Sequence, residues 1–369
     1  MPDIPTHTYA IETLRDFSTR VFLHYGLTSE DARLAADVLV ASDLRGIESH
    51  GIARLWAYAR LLEEPDVNPR PELSVVRETA TTATVDGNGG LGLVVGPKAN
   101  QIAIEKAADV GTGWVAVRRS NHFGIAGYYP QMALAHDMIG WSMTNCSPHV
   151  VPLWGIEPRL GTNPIAVAFP AGKERPIVID MSTSVVAGGK IEIARRGGQN
   201  VPDGWLIDRE GRPTNSPEAL FENGCLLPLG GDYDHGGHKG YCLAAMVDLL
   251  CGVLSGADWG PFVSAFATSS LAGRSREGSG WGHFFGAMRI DAFCDPGEFK
   301  ERVDKWIVTM RGTRPAPGTN GPIIPGDPEH EAEVERTKNG VPLTLPVIES
   351  LHKVARRTGV AFDDAPAHR

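Results

Sequence analysis

The hydrophobic period of this chain changes part-way, and that change limits its fold more than any other feature. Ile11 to Tyr25, then the stretch from Thr28 toward Leu44, carry apolar residues at helical spacing, the second behind the capping pair Thr28 and Asp31. In ELSVVRETATTATVDGNG, from Glu72, β-branched residues alternate instead, which is strand period. From there to about Asp291 short apolar runs and helical stretches take turns. The pattern predicts an α/β fold. Predicted strands are Trp114–Arg118, Gly140–Thr144, Ile165–Phe169, Ile177–Asp180 and Phe284–Ile290. Predicted helices are Pro97–Val110, Ile125–His136, Val185–Arg196 and Tyr241–Leu254. After Arg311, RPAPGTNGPIIPGDPE reads as a long ordered loop, and helices over Glu329–Asn339 and Pro346–Thr358 close the chain. Chain ends of a domain often meet, so the terminal helices are expected to pack on the N-terminal ones. This gives a helical domain from 1–75 plus 329–369, and an α/β region over 76–328.

Composition excludes several classes. At 369 residues, 42% hydrophobic and 21% charged, the chain can bury a large core. A net charge of -9 argues against nucleic acid and anionic membrane surfaces as partners. The apolar stretch Tyr241–Leu254 contains Asp248 and is too short to span a bilayer. The N-terminal segment has no charged and apolar leader pattern. Five scattered cysteines with no CxxC pair suit a reducing, cytoplasmic setting.

Two segments hold the candidate chemistry. Ser49 is expected to cap a helix on which His50, Arg54 and Tyr58, spaced by four, share a face. A neutral imidazole beside a guanidinium suits proton transfer on a substrate that carries a carboxylate. A surface helix that merely holds a histidine would look the same. WVAVRRSNHFGIAGYYPQMALAH reads as a strand, a tight loop with Asn121, His122 and Gly124, and a helix; strand-end loops often carry catalytic groups.

Glycine-rich motifs compete for a phosphate role. GNGGLG (Gly87–Gly92) matches a dinucleotide fingerprint, but its leading strand is short and polar, and a tight turn accounts for it as well. GGHKG places Lys239 and Gly240 at the start of a long apolar helix, where amides, dipole and ammonium suit a pyrophosphate. Asp232, Asp234, His235 and His238 could be read as a metal patch, yet no remote ligand completes a set, and no metal is expected. Thr162 and Asn163 before a strand, and Asp180 and Ser182 after one, could reach a ligand or serve as turns and caps.

SDLRGIESHGIARL, RRSNHFGIAGYY, LGTNPIAVAFP, VIDMSTS, GGHKG and IPGDPE, in this order over nearly the whole chain, resemble the malate/L-lactate dehydrogenase family. That family also includes ureidoglycolate, sulfolactate and diketogulonate dehydrogenases and piperideine-carboxylate reductases, and it differs from the Rossmann-type malate and lactate dehydrogenases. The resemblance implies an NAD(P)-dependent oxidoreductase of small 2-hydroxy or 2-oxo acids. It implies a non-Rossmann cofactor domain, here about 125–290, so GNGGLG does not carry over as a pyrophosphate site. It also implies a homodimer with its sites near the subunit interface. By motif, His122 and His50 carry over as catalytic residues, with His122 taken as the proton-transfer group. Arg54, Tyr58 and Asn121 fall on the substrate side. Cys146, Thr162, Asn163, Asp180, Met181, Ser182, His238, Lys239, Gly240, Gly326, Asp327 and Glu329 fall on the cofactor side. The cofactor is expected to be NAD or NADP, with NAD favoured. The expected reaction interconverts a malate- or lactate-like hydroxy acid and its oxo acid. Reduction of a cyclic imino acid or diketo sugar acid, a keto-acid or nucleotide sensor without turnover, and a metal-dependent hydrolase built on His235 and His238 are the alternatives.

Overall fold

The computed structural model describes residues 6–266 and 280–363. The chain opens with β1 (Thr6–Tyr9), α1 (Ile11–His24) and α2 (Ser29–Leu44). Thr28 caps α2 by accepting the Asp31 amide at 3.1 Å. Two 3-10 turns, Glu48–His50 and Ile52–Arg54, lead into α3 (Leu55–Leu61). Next come β2 (Ser74–Glu78), β3 (Thr82–Asp86), α4 (Gly92–Val110), β4 (Thr112–Ser120), α5 (Tyr128–Met132), β5 (Met138–Thr144), β6 (Ile165–Phe169), β7 (Ile177–Met181) and α6 (Gly188–Arg196). The short strands β8 (Leu206–Ile207), β9 (Pro213–Thr214) and β10 (Cys225–Leu226) form a small sheet. The chain ends with α7 (Gly237–Asp248), a π-helical turn over Leu249–Val253, β11 (Trp281–Arg289), α8 (Pro296–Arg311), α9 (Asp327–Asn339), β12 (Val341–Thr344) and α10 (Leu345–Thr358).

The main sheet runs β2-β3-β4-β11-β5-β6-β7. β3 and β4 are parallel and joined by α4; the other neighbours pair antiparallel. A doubly wound dinucleotide fold needs a mostly parallel sheet, so this is a different α/β architecture. Its core, between sheet and α4, holds Val85, Val95, Ala99, Val115, Val117 and Phe285. A second core joins both chain ends: Leu14, Phe17 and Val21 of α1 and Leu39 of α2 pack with Leu351 and Val354 of α10. β1 pairs antiparallel with β12, Thr6 opposite Thr344. Removing such a side chain, as in Leu351→Ala, typically costs about 2–5 kcal/mol.

Several expectations change. The predicted Ile125–His136 helix is one short helix, α5, followed by a 3-10 turn over Ala133–His136. α8 was not predicted, although Asp295 caps it by accepting the Glu298 amide at 2.9 Å and Pro296 opens it. The helix expected to begin at Ser49 is broken at Gly51 (φ -91, ψ -146), and α3 starts at Leu55. A Cβ at Gly51 would lie 2.1 Å from Asp43 Oδ1, and Asp43 Oδ2 accepts the Ile52 amide at 2.6 Å. A buried carboxyl from α2 thus takes the backbone out of helix.

Candidate active site

The His122 loop is fixed on every side. Central strand β11 places His283 next to β4, where its Nε2 lies 2.7 Å from Ser120 Oγ and its Nδ1 lies 2.8 Å from Thr144 Oγ1. Burial pushes the His283 imidazole down to about 3, so it stays neutral. Phe123 stacks between His283 (4.8 Å) and Tyr129 (4.6 Å), and the Tyr129 hydroxyl donates to the Phe123 carbonyl. Asn121 Nδ2 donates to the carbonyls of Gly89 (3.1 Å) and Gly90 (2.9 Å). The glycine turn answers through its amides: Gly87 donates to Arg118 O and Gly89 to Arg119 O, both at 2.8 Å. A Cβ at Gly92 would lie 2.2 Å from Asn121 O. The loop's own backbone fills the space a pyrophosphate would need, so GNGGLG seats the His122 loop. The amide of Asn121, expected on the substrate side, is spent on that seat.

The His50 turn meets this loop. The His50 and His122 rings stack with centroids 5.7 Å apart and planes 16° from parallel. Tyr58 is fully buried, and its Oη lies 2.6 Å from His122 Nδ1. Ser49 Oγ lies 2.9 Å from His50 Nδ1, and Arg54 Nε donates to Ser49 O at 2.6 Å. Tertiary packing, rather than one helical face, brings His50, Arg54 and Tyr58 together. Burial and then the Arg54 charge lower His50 to about 4. Burial, then the charges of His50, Arg54 and His283, hold His122 well below the ordinary imidazole range. Burial pushes the Tyr58 phenol up, so it stays protonated. Sequence reasoning missed the remaining walls. Phe266 stacks on His122 at 4.2 Å and Trp281 meets it edge-on at 5.5 Å. Neither residue lies in a local motif; only the pairing of β11 with β4 places Trp281 there.

The cofactor-side candidates gather at the ends of β6 and β7, which coincide because the strands are antiparallel. Asn163 is buried at φ 34; its Oδ1 accepts the Cys146 amide (3.0 Å) and its Nδ2 donates to Ala244 O (3.0 Å). The Thr183 amide donates to Thr162 O (2.9 Å), and Ser182 Oγ donates to Ser184 O (3.2 Å). Burial raises the Cys146 thiol to about 11. Asp180 Oδ2 accepts the Gly127 amide at 2.7 Å, which ties β7 to the chain just beyond His122, while Met181 beside it is exposed. Asp180 is itself exposed at the end of β7, with the opposing charges of Arg45 and Glu329 nearby. The Leu229 amide donates to Thr183 O (2.9 Å) and brings the start of α7 alongside. There Gly236 adopts φ 96, no side chain caps the helix, Gly240 lies against Leu229, and Lys239 is exposed. The His238 ring packs on Tyr233 at 5.0 Å, and its Nδ1 is buried without a hydrogen-bond partner. The Gly237 and Lys239 amides donate to Asp232 O (2.6 Å) and Gly236 O (2.8 Å), so the groups here that fit the diphosphate of a dinucleotide are the positive end of the helix, the lysine and the unpaired imidazole nitrogen. On the other side of β7, Pro325 O accepts the Val178 amide (3.1 Å), which seats Gly326 beside the strand, and Asp327 pairs with Arg311 at 3.1 Å. His235 Nδ1 lies 2.7 Å from Asp232 Oδ1, and among the described residues no three His, Cys, Asp or Glu side chains are grouped to hold a metal.

Two half-buried imidazoles stacked on each other beside a guanidinium, with polar groups at the adjoining ends of β6 and β7, suit proton transfer on a small acid. The chain belongs to the malate/L-lactate dehydrogenase family, whose profile matches residues 9–352. It is 45% identical over 350 residues to the malate dehydrogenase of Pyrococcus horikoshii, with 95% of each chain covered. It is 39% identical over 344 residues to the L-sulfolactate dehydrogenase of Methanocaldococcus jannaschii, covering 93% of this chain and 95% of that one. The solved structure of malate dehydrogenase from Pyrococcus horikoshii OT3 superposes with a TM-score of 0.89 at 41% identity, covering 98% of this chain and 99% of that one. The chain is therefore an oxidoreductase acting on a CH–OH group, in a family whose dehydrogenases use NAD(P).

Proposed function

We propose that the chain interconverts a malate- or lactate-like 2-hydroxy acid and its 2-oxo acid with NAD, and that His122 moves the hydroxyl proton. The supporting observation is the 2.6 Å contact between His122 Nδ1 and the buried Tyr58 hydroxyl. Tyr58 Oη and the Gly124 amide both meet His122 Nδ1, at 2.6 and 3.3 Å, so Nδ1 is engaged by the protein and Nε2 is the ring atom left to exchange a proton with a hydroxy acid. In reverse, the imidazolium donates from Nε2 to the carbonyl oxygen. The Nε of Arg54 is held by Ser49 O, which orients the guanidinium so that its Nη pair takes the substrate carboxylate. His50, stacked on His122, lines the same space and orients the substrate or nicotinamide ring. Lys239, His238 and the positive end of α7 would hold the dinucleotide diphosphate, with Thr162, Ser182 and the start of α9 at Gly326–Glu329 along its length. When bound, the cofactor supplies the hydride acceptor. The carboxylates of Asp180 and Glu329 on this edge disfavour a further ribose phosphate, which supports NAD.

Mixing folded protein with NADH or NADPH and oxaloacetate, pyruvate, glyoxylate, sulfopyruvate, diketogulonate or piperideine carboxylate tests the reading. We expect NADH consumption with an open-chain 2-oxo acid. No consumption with any pair would sink it, and turnover of the imino acid alone would move the substrate class. We also propose a homodimer in the cytoplasm. Free cysteines suit that compartment, and among the described residues no helix is long and apolar enough to cross a membrane.

A further inference from the structure

Five residues grip the three-residue turn that carries His50, two from the end of α2, one just beyond the turn, one from α6 and one from near the other end of the chain. Asp43, at the end of α2, holds the Ile52 amide just beyond the turn at 2.6 Å. Ser42 Oγ donates to Ile47 O at 2.7 Å just before it. Gly189 of α6 abuts Ser49: a Cβ there would lie 3.6 Å from Ser49 Cβ. Arg54 holds Ser49 O. The last grip is Arg336 of α9. Its Nη1 donates to Asp43 O at 2.6 Å and its Nη2 pairs with Glu48, the first residue of the turn and 288 positions away. The Arg336 side chain is only 11% exposed. Two buried atoms here, Asp43 Oδ1 and Arg336 Nε, have no hydrogen-bond partner. Unsatisfied buried atoms of opposite polarity cost stability, and a fold retains them where the geometry serves something else. One turn earlier in α9, Glu333 pairs with Arg45 at 3.2 Å and Ala332 lies against Gly46, so the helix is pinned to the end of α2 and Arg336 cannot drift.

We propose that Arg336 is a positioning residue for the reaction: by spanning Asp43 O and Glu48 it sets the height and tilt of the His50 ring against His122. The inference rests on the reading of His50 as a site residue. A bidentate span is needed, which a guanidinium provides and an ammonium does not. Arg336 touches neither substrate nor cofactor. Its removal should therefore lower turnover while leaving dinucleotide binding alone.

The test uses the full chain with oxaloacetate and NADH, and compares Arg336→Ala, Arg336→Lys and His50→Ala with the Arg336→Ala, His50→Ala pair. Small displacements of a site group cost up to about a hundredfold in rate, so Arg336→Ala should lower kcat about tenfold, with NADH affinity by fluorescence within about twofold. Arg336→Lys should recover part of the loss. In the His50→Ala background the same change should cost nothing further, because contacting groups that act as one unit are non-additive. Histidine ring NMR should show the His50 signal displaced in Arg336→Ala. If Arg336→Ala yields no folded protein, Glu48→Gln keeps the arginine and should still lower kcat a few-fold, again only when His50 is present. Losses that multiply equally in both backgrounds, with an unmoved His50 signal, would overturn the proposal. A displaced signal with a harmless His50→Ala would keep the positioning and overturn the role given to His50.

Discussion

Tyr58 has its ring edge against Phe22 and Phe266, so a phenylalanine there keeps the packing and loses only the hydroxyl facing His122. Tyr58→Phe should leave the melting temperature within a few degrees and lower kcat about tenfold, as expected for a lost orienting bond to a general base. An unchanged kcat would remove Tyr58 from the machinery. The pH profile carries a sign. His122 is held well below the ordinary imidazole value of 6.5, so its neutral form persists when pH falls through that value. For hydroxy-acid oxidation, kcat/KM should stay flat from neutral pH to below 6.5 and fall only further into acid, whereas oxo-acid reduction, which needs the protonated ring, should keep rising as pH drops. A midpoint at the ordinary imidazole value in either direction would contradict the burial argument. The same depression means the unfolded chain takes up the proton first, so His122 withdraws stability as pH falls below 6.5. Much of this residue set was legible in the sequence, because imidazole, guanidinium and phenol stand together in one short motif. Their meeting was legible for the wrong reason: four-residue spacing suggested a helix face, while Gly51 breaks the helix and Asp43 supplies the alignment. Phe266, Trp281 and Arg336 were not legible, since each arrives through a contact that spans the chain.

The glycine turn between β3 and α4 separates two readings of one motif. Gly92→Ala pushes a methyl toward Asn121 O and should displace the His122 loop, lowering kcat about tenfold or more with NADH affinity kept. Lys239→Ala, at the start of α7, should do the opposite and raise the NADH dissociation constant about tenfold through loss of a charge-assisted contact. If Gly92→Ala abolished NADH binding and Lys239→Ala did not, the turn would be the phosphate site after all. The sheet strands were readable because apolar β-branched runs ended at turn residues; Ile165–Phe169 matches to the residue. β1 and β12 are four residues each and owe their existence to pairing with one another, which no local pattern announces. α8 did carry a readable start in Asp295 and Pro296, but its charged surface hid the apolar stripe.

Over the whole molecule, apolar surface remains where a monomer would cover it. Trp154 is 81% exposed and Ile156 52%; Leu249, Val253 and Leu254 are 57%, 52% and 61% exposed. Apolar surface of this kind is a common mark of an interface, and it supports the proposed homodimer. Light scattering at micromolar concentration should give twice 39.6 kDa; the mass of a single chain with full activity would refute the dimer.

The core shared by both chain ends has a consequence in time. Synthesis proceeds at about 5–20 residues per second, and Glu48 leaves the ribosome 288 residues before the arginine that grips it, a delay of roughly 15–60 s. Throughout that interval α1 and α2 are present without α10, their apolar faces uncovered, and only in its last part, once β11 is made, does the main sheet have all its strands. Such a chain completes the grip on its His50 turn only after α9 is made, so activity is expected late in synthesis.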